Sequence, residues 1–291
     1  MNIFSILKFF KTKEAKMYAD SITKCSATAA RIVKFAQTDK LGFWISSAMA
    51  GAYVGMGIIL IFTLGNIVDP SMRAIVMGSF FGIALTLVII AGSELFTGHT
   101  MFLTFGALTG EISWTDKFKV LPQTWAGNLL GCIFLAAIFS YAGGGKLLGV
   151  EDSLIHKVAL AKTTAPTMIL FAKGILCNWL VCLAIWMCVR LEGTGKFIAI
   201  WWCLAAFIAC GYEHSIANMT IFALSWFGDS KEAFTMAGIG HNLLWVSLGN
   251  LVSGIFFMGF GYWFSTPKAD RPNLSAEAQQ KEVTLTAKVA G

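Results

Sequence analysis

Several long stretches without a charged side chain constrain this sequence most, among them Leu41–Val68, Val120–Gly145 and Phe197–Tyr212. A helix needs about 20 apolar residues to cross a bilayer, and these runs approach or exceed that length. Only hydrogen-bonded helices or closed barrels can span lipid. Barrel strands read as alternating segments of about 10 residues. The runs here are continuous, so the expected class is an all-α membrane protein. The whole chain agrees: 56% of its 291 residues are hydrophobic and 13% are charged. Its mean hydropathy of +0.69 is too high for a soluble globular domain.

The net charge of +6 does not point to nucleic acid, because of where the charges fall. Lys8, Lys11, Lys13, Lys16, Lys24, Arg31, Lys34 and Lys40 precede the first span. Lys117 and Lys119, Arg190 and Lys196, and then Lys268, Arg271, Lys281 and Lys288 follow alternate crossings if there are six. The positive-inside rule then puts both termini in the cytoplasm. Phe4–Phe10 is too short for a signal-peptide core and no small-residue cleavage site follows, so the first true span is expected to act as the insertion signal.

Six spans are expected, at roughly 42–64, 73–108, 121–142, 164–189, 197–227 and 238–264. Residues 1–40 form a basic leader and an amphipathic helix on the inner membrane surface. That helix opens at Met17, itself a possible start, and carries Ile22, Cys25, Ala29 and Ile32/Val33 at helical spacing. The channel body occupies 41–266, an external loop 146–161, and a disordered cytoplasmic tail 267–291.

Spans 2 and 5 are interrupted, by GSELFTGHT (Gly92–Thr100) and by CGYEHSIAN (Cys210–Asn218). Each has a Gly followed two residues later by a Glu, then apolar helix resuming through a Met. Gly127-Asn128-Leu129 follows the first interruption, as Gly249-Asn250-Leu251 follows the second. The chain therefore reads as two three-span halves, about 41–142 and 163–266. Three crossings are odd in number, so the halves are inverted, an arrangement typical of transporters. Breaking a helix in lipid is tolerated only inside protein or along a cavity. Half-helix N-termini carry partial positive charge and suit anions. Together these point to a pore that favours small anions or polar solutes.

His214 is the histidine inside an interruption beside a second ionisable residue. It is either a pore-lining proton donor or anion contact, or a buried side chain that ties down the broken helix. His99 is a weaker candidate; His156 reads as a loop residue and His241 as a cap or packing residue. Glu94 and Glu213 are repeat-equivalent and are expected to bond the opposite loop's free backbone groups. Thr97 could offer its hydroxyl to His214. Gly211 lets the chain leave the helix, and Asn218 belongs to the same break. Asn128 and Asn250 read as polar glue between helices. Lys162 is either a vestibule cation or a snorkelling residue. Lys173 lies inside span 4 with no partner legible in the sequence. Six of the seven cysteines lie in apolar runs and no CxxC occurs, so they read as packing residues. No metal spacing, phosphate loop, Ser-His-Asp set or cofactor motif is visible, which argues against an enzyme and for no cofactor.

GSELFTGHT, LAKTTAP, LCNWLVCLAIW, GYEHSIANM and the paired GNL segments resemble the formate/nitrite transporter family, from about Met17 to about Pro272. The resemblance implies an aquaporin-like protomer in a homopentamer, with one pore per protomer. It implies a bacterial inner-membrane, multi-pass channel for monovalent weak-acid anions. Nitrite is the expected substrate, formate or hydrosulfide the alternatives, with protons as a further partner the resemblance implies. It places the central pore histidine on His214, its threonine partner on Thr97, the vestibule lysine on Lys162 and a pore-facing asparagine on Asn250. It places apolar constrictions on Phe81, Leu85, Leu95, Phe96, Val181 and Phe207, and Trp202 near the cytoplasmic constriction.

Overall fold

The computed structural model describes residues 3–149, 153–228 and 235–274, with side chains from residue 16 onward. Among these the chain is helical. The elements are α1 (Ile3–Thr38), α2 (Lys40–Ile67), α3 (Arg73–Phe80), α4 (Gly82–Thr86), α5 (Phe96–Leu108), α6 (Trp114–Tyr141), α7 (Gly145–Leu148), α8 (Leu154–Thr163), α9 (Thr167–Arg190), α10 (Thr194–Ala209), α11 (Ser215–Phe227), α12 (Met236–Val252) and α13 (Gly261–Ser265). A π segment, Leu87–Gly92, continues α4, and another, Ser253–Phe260, joins α12 to α13.

Among the described residues, five stretches are long and apolar enough to cross a membrane: Lys40–Ile67, Pro70–Gly92, Trp114–Tyr141, Thr167–Arg190 and Met236–Ser265. Two further apolar helices, α10 and α11, are shorter and stand on either side of Cys210–His214. Helix α5 is likewise short and follows Ser93–Leu95, which is not helical. Both short helices are almost wholly buried, α5 from Phe96 to Ala107 and α11 from Ser215 to Phe222.

Local chemistry explains the boundaries. The Asp39 carboxylate accepts from Gly42 N–H at 2.9 Å and starts α2. Ser113 and Asp116 form a reciprocal capping box at the start of α6. The Thr235 hydroxyl accepts from Gly238 N–H at 3.0 Å to start α12. Gly92 (φ +86°) and Gly211 (φ +66°) end the helices before the two interruptions in the left-handed region, where a Cβ is costly. Neither would meet an atom within 4 Å if given a Cβ, so backbone conformation, not space, requires glycine there.

Helices α2 and α6 form one close pair, α9 and α12 another. A Cβ on Gly51 would run into the Asn128 carbonyl, and one on Gly249 into the Phe171 carbonyl. Small residues let backbones approach in lipid, where dispersion rather than water drives helix packing. At the second π segment, a Cβ on Gly254 would collide with the Thr100 hydroxyl of α5.

The amphipathic face of the N-terminal segment is buried as its spacing predicts: Ile22, Cys25, Ala29 and Ile32 are at most 1% exposed. That face packs chiefly on α5, and α1 is one continuous helix with no junction at Met17. The 146–161 segment contains α7 and most of α8 where a loop was expected. The start of the tail is also ordered. Lys268–Asp270 forms a 3-10 turn, and Leu274 N–H donates to the Thr109 carbonyl at 3.1 Å. The rest of the tail, 275–291, lies outside the described residues.

Candidate functional site

The two short helices meet at their N-termini. His214, the residue before α11, is 4% exposed and sits 3.1 Å, Nε2 to Oγ1, from Thr97 in the first turn of α5. Its Nδ1 accepts the Ala217 N–H at 3.2 Å. That bond needs a lone pair on Nδ1, so the ring proton sits on Nε2. His214 therefore donates to Thr97, the reverse of the direction expected from the sequence.

Around this contact lie three cavities in series. One, of about 320 Å³, is lined by Lys162, Lys173, Tyr212, Glu213, His214 and Phe207 among others. The middle one, of about 10 Å³, has room for about one water molecule. Phe81, Leu85, Leu95, Val181, Phe207 and His214 surround it. The third, of about 340 Å³, lies beyond Leu95 and is lined by Arg31, Glu94 and His99. Phe207 and His214 are shared by the first two, and Leu95 by the last two. Phe207 stacks on His214 (centroids 6.0 Å apart, planes at 17°) and takes the edge of Phe81 at 5.5 Å. A histidine thus stands in an apolar collar between two polar mouths.

Each mouth holds a buried glutamate with a cation and a second partner five residues further on. Glu213 Oε2 accepts from Lys162 Nζ at 2.8 Å and from Asn218 Nδ2 at 2.6 Å. Glu94 accepts from Arg31 at 2.8 Å and lies 2.8 Å from His99 Nε2. His99 Nδ1 lies 3.1 Å from the Thr124 hydroxyl, which itself donates to the Val120 carbonyl.

The glutamates do not bond the opposite loops' backbone. Two asparagines serve the breaks instead, each on its own half. Asn128 accepts the Phe96 N–H at 3.0 Å and donates to the Ser47 and Glu94 carbonyls. Asn250 accepts the Ser215 N–H at 3.0 Å and donates to the Gly174 and Glu213 carbonyls. An amide has both a donor and an acceptor face and can serve freed N–H and C=O groups together; a carboxylate only accepts and needs a cation. Asn250 is 0% exposed and does not line the three cavities, so it staples the break rather than facing the pore. Thr97 too lies behind His214, fully buried.

Two constriction expectations fail. Trp202 is 64% exposed, because the turns of α10 bring Cys203, Leu204 and Phe207 inward and leave Trp202 outside. Phe96 is buried but does not line the collar. Val54, Ala84 and Leu204 complete it and were missed; as lone apolar residues in apolar helices they carry no distinguishing signal.

Residues 20–264 match the sequence profile of the formate/nitrite transporter family. This chain belongs to that family. The formate/nitrite transporters are carriers and channels, not enzymes. The nitrite transporter NirC of Escherichia coli (strain K12) is 70% identical over 256 residues, covering 88% of this chain and 95% of NirC. A solved FNT family ion channel superimposes with a TM-score of 0.84 at 68% identity, covering 85% of this chain and 99% of that one. A pentameric formate channel with formate bound gives a TM-score of 0.66 at 26% identity, covering 77% of this chain and 96% of that one. With the apolar helices, family membership places this formate/nitrite transporter in a membrane.

Proposed function

We propose that this protein is a nitrite channel of the bacterial inner membrane, assembled as a homopentamer with a pore in each protomer. High identity to a nitrite transporter supports the substrate, and likeness to a pentameric formate channel supports the assembly. Its body is read as six spans in an inverted 3+3 repeat. The paired breaks at Gly92–Leu95 and Cys210–His214, the paired asparagine staples and the paired α2–α6 and α9–α12 contacts support that reading. Both termini are read as cytoplasmic from the distribution of lysine and arginine. The Lys162 cavity is then the outer mouth and the Arg31 cavity the inner one.

The observation that carries the proposal is His214 in an apolar collar with room for about one water. A bare anion crossing such a collar loses its hydration at high cost, and a neutral acid loses far less. The ring of His214 is the polar group that lines this collar, with its Nε2–H given to Thr97 behind it. A neutral ring has no proton to spare without becoming an imidazolate. A proton passed to nitrite must therefore first load His214 at Nδ1, displacing the Ala217 bond, or travel with the anion. This favours weak-acid anions over chloride, whose conjugate acid is far too strong to reform.

Formate and hydrosulfide obey the same chemistry, and the likeness to a formate channel keeps formate as the second reading. Flux of nitrite, formate, hydrosulfide and chloride into proteoliposomes across pH tests the choice. The proposal expects nitrite flux well above that of chloride and rising as pH falls. Formate moving far faster than nitrite would overturn the substrate assignment.

A further inference from the structure

The sequence leaves Lys173 without a role, and the structure supplies one. Lys173 is the seventh residue of α9, about 10 Å along the helix from its start. Its carbonyl accepts the Glu213 N–H at 3.3 Å, so it stands level with the second helix break. It is half-buried and lines the same cavity as Lys162, Glu213 and His214.

The two lysines differ in their electrostatic state. Lys162 is bound to Glu213 at 2.8 Å, and that carboxylate cancels its charge. Lys173 has no ion pair among the described residues, and no other carboxylate lines the cavity. The net positive charge of this mouth is therefore the charge of Lys173. The opposite cavity holds Arg31 already paired with Glu94. A charge in a concave, low-dielectric mouth concentrates counter-ions there.

We infer that Lys173 is the anion-capturing residue of the outer mouth, gathering small monovalent anions before they reach His214, while Lys162 serves to hold Glu213 and the break in place. This rests on the anion-channel reading above and adds the group that sets its apparent affinity. It also explains why a lysine is tolerated within an otherwise apolar membrane helix.

The test compares full-length wild type, Lys173→Gln and Lys173→Arg in proteoliposomes. Uptake of nitrite, formate and chloride is measured at about 0.01 M and at about 1 M sodium gluconate, where a charge reaches about 30 Å and about 3 Å respectively. Lys173→Gln is expected to raise the half-saturating anion concentration about fivefold in low salt, the usual size of one unit-charge attraction at contact in water. Lys173→Arg is expected to behave as wild type. In high salt all three are expected to converge, which also shows that the Gln variant folds. A Gln variant equal to wild type in low salt, a defect that persists in high salt, or an Arg variant as poor as Gln would each overturn the assignment. Wild type passing formate instead of nitrite would overturn the substrate reading but leave the salt comparison standing on formate. Wild type passing no anion above empty vesicles would overturn both.

Discussion

The imidazole of His214 and the hydroxyl of Thr97 are 117 residues apart in sequence and 3.1 Å apart in space. This contact joins the N-termini of the two short helices, and it ties His214 to the half of the chain that does not contain it. Replacing Thr97 by Val leaves the Nε2–H without its partner in a buried site. Loss of about 1–3 kcal/mol of stability is expected, with Thr97→Ser retaining most of it. Thermal melting of the detergent-solubilised protein, followed by size exclusion, reads the difference. The Val variant should also lose nitrite flux, because the ring is no longer held against the collar.

The two glutamate pairs should respond unequally. Lys162 and Glu213 are 15% and 7% exposed, whereas the Arg31 side chain is 58% exposed. Lys162→Met leaves a buried carboxylate with only Asn218 for support, and about 3–5 kcal/mol of destabilisation is expected. Arg31→Met removes an exposed partner of a carboxylate that still holds His99, and about 0–1 kcal/mol is expected. Equal melting temperatures for the two variants would contradict this ordering.

Asn250→Leu frees the Ser215 N–H and the Glu213 carbonyl at once and breaks the tie to the Gly174 carbonyl of α9. Each group left unsatisfied costs about 1–3 kcal/mol. Hydrogen exchange at the Ser215 amide should accelerate strongly, and the same should hold for Phe96 in Asn128→Leu. Unchanged protection at either amide would show that the asparagines do not staple the breaks.

Gly211→Ala places a Cβ on a residue with φ +66° and is expected to cost about 1–2 kcal/mol. Gly240→Ala meets no atom within 4 Å and needs no positive φ, so it should be neutral or slightly stabilising. Melting curves of the two variants side by side check the contrast.

The all-helical membrane class was legible because uncharged runs near twenty residues long have few other uses. The family was legible because the residues at the helix interruptions are polar and therefore distinctive against an apolar background. The partners of those residues were not. Arg31 reaches Glu94 from α1, a segment that reads as a surface helix, and Lys162 reaches Glu213 from α8, which reads as a loop. Such pairings depend on tertiary packing that no periodicity encodes. Trp202 was misread for a related reason. All faces of an apolar membrane helix look alike in sequence, since lipid and protein interior are both apolar, so the inward face of α10 could not be picked out. The asparagines were seen as interhelical glue, and their bonds to the Ser47 and Gly174 carbonyls are that; the Phe96 and Ser215 N–H groups they also satisfy are free only because the helices are broken.

Anions are expected to pass His214 and to depend on its imidazole. The most direct measurement is nitrite uptake as a function of pH in proteoliposomes carrying wild type or His214→Asn, with equal amounts of folded protein. Asparagine keeps a polar side chain at the head of α11 but cannot be protonated. The variant is expected to lose the rise of nitrite uptake at low pH and its discrimination against chloride. Nitrite uptake and pH dependence identical to wild type would contradict it.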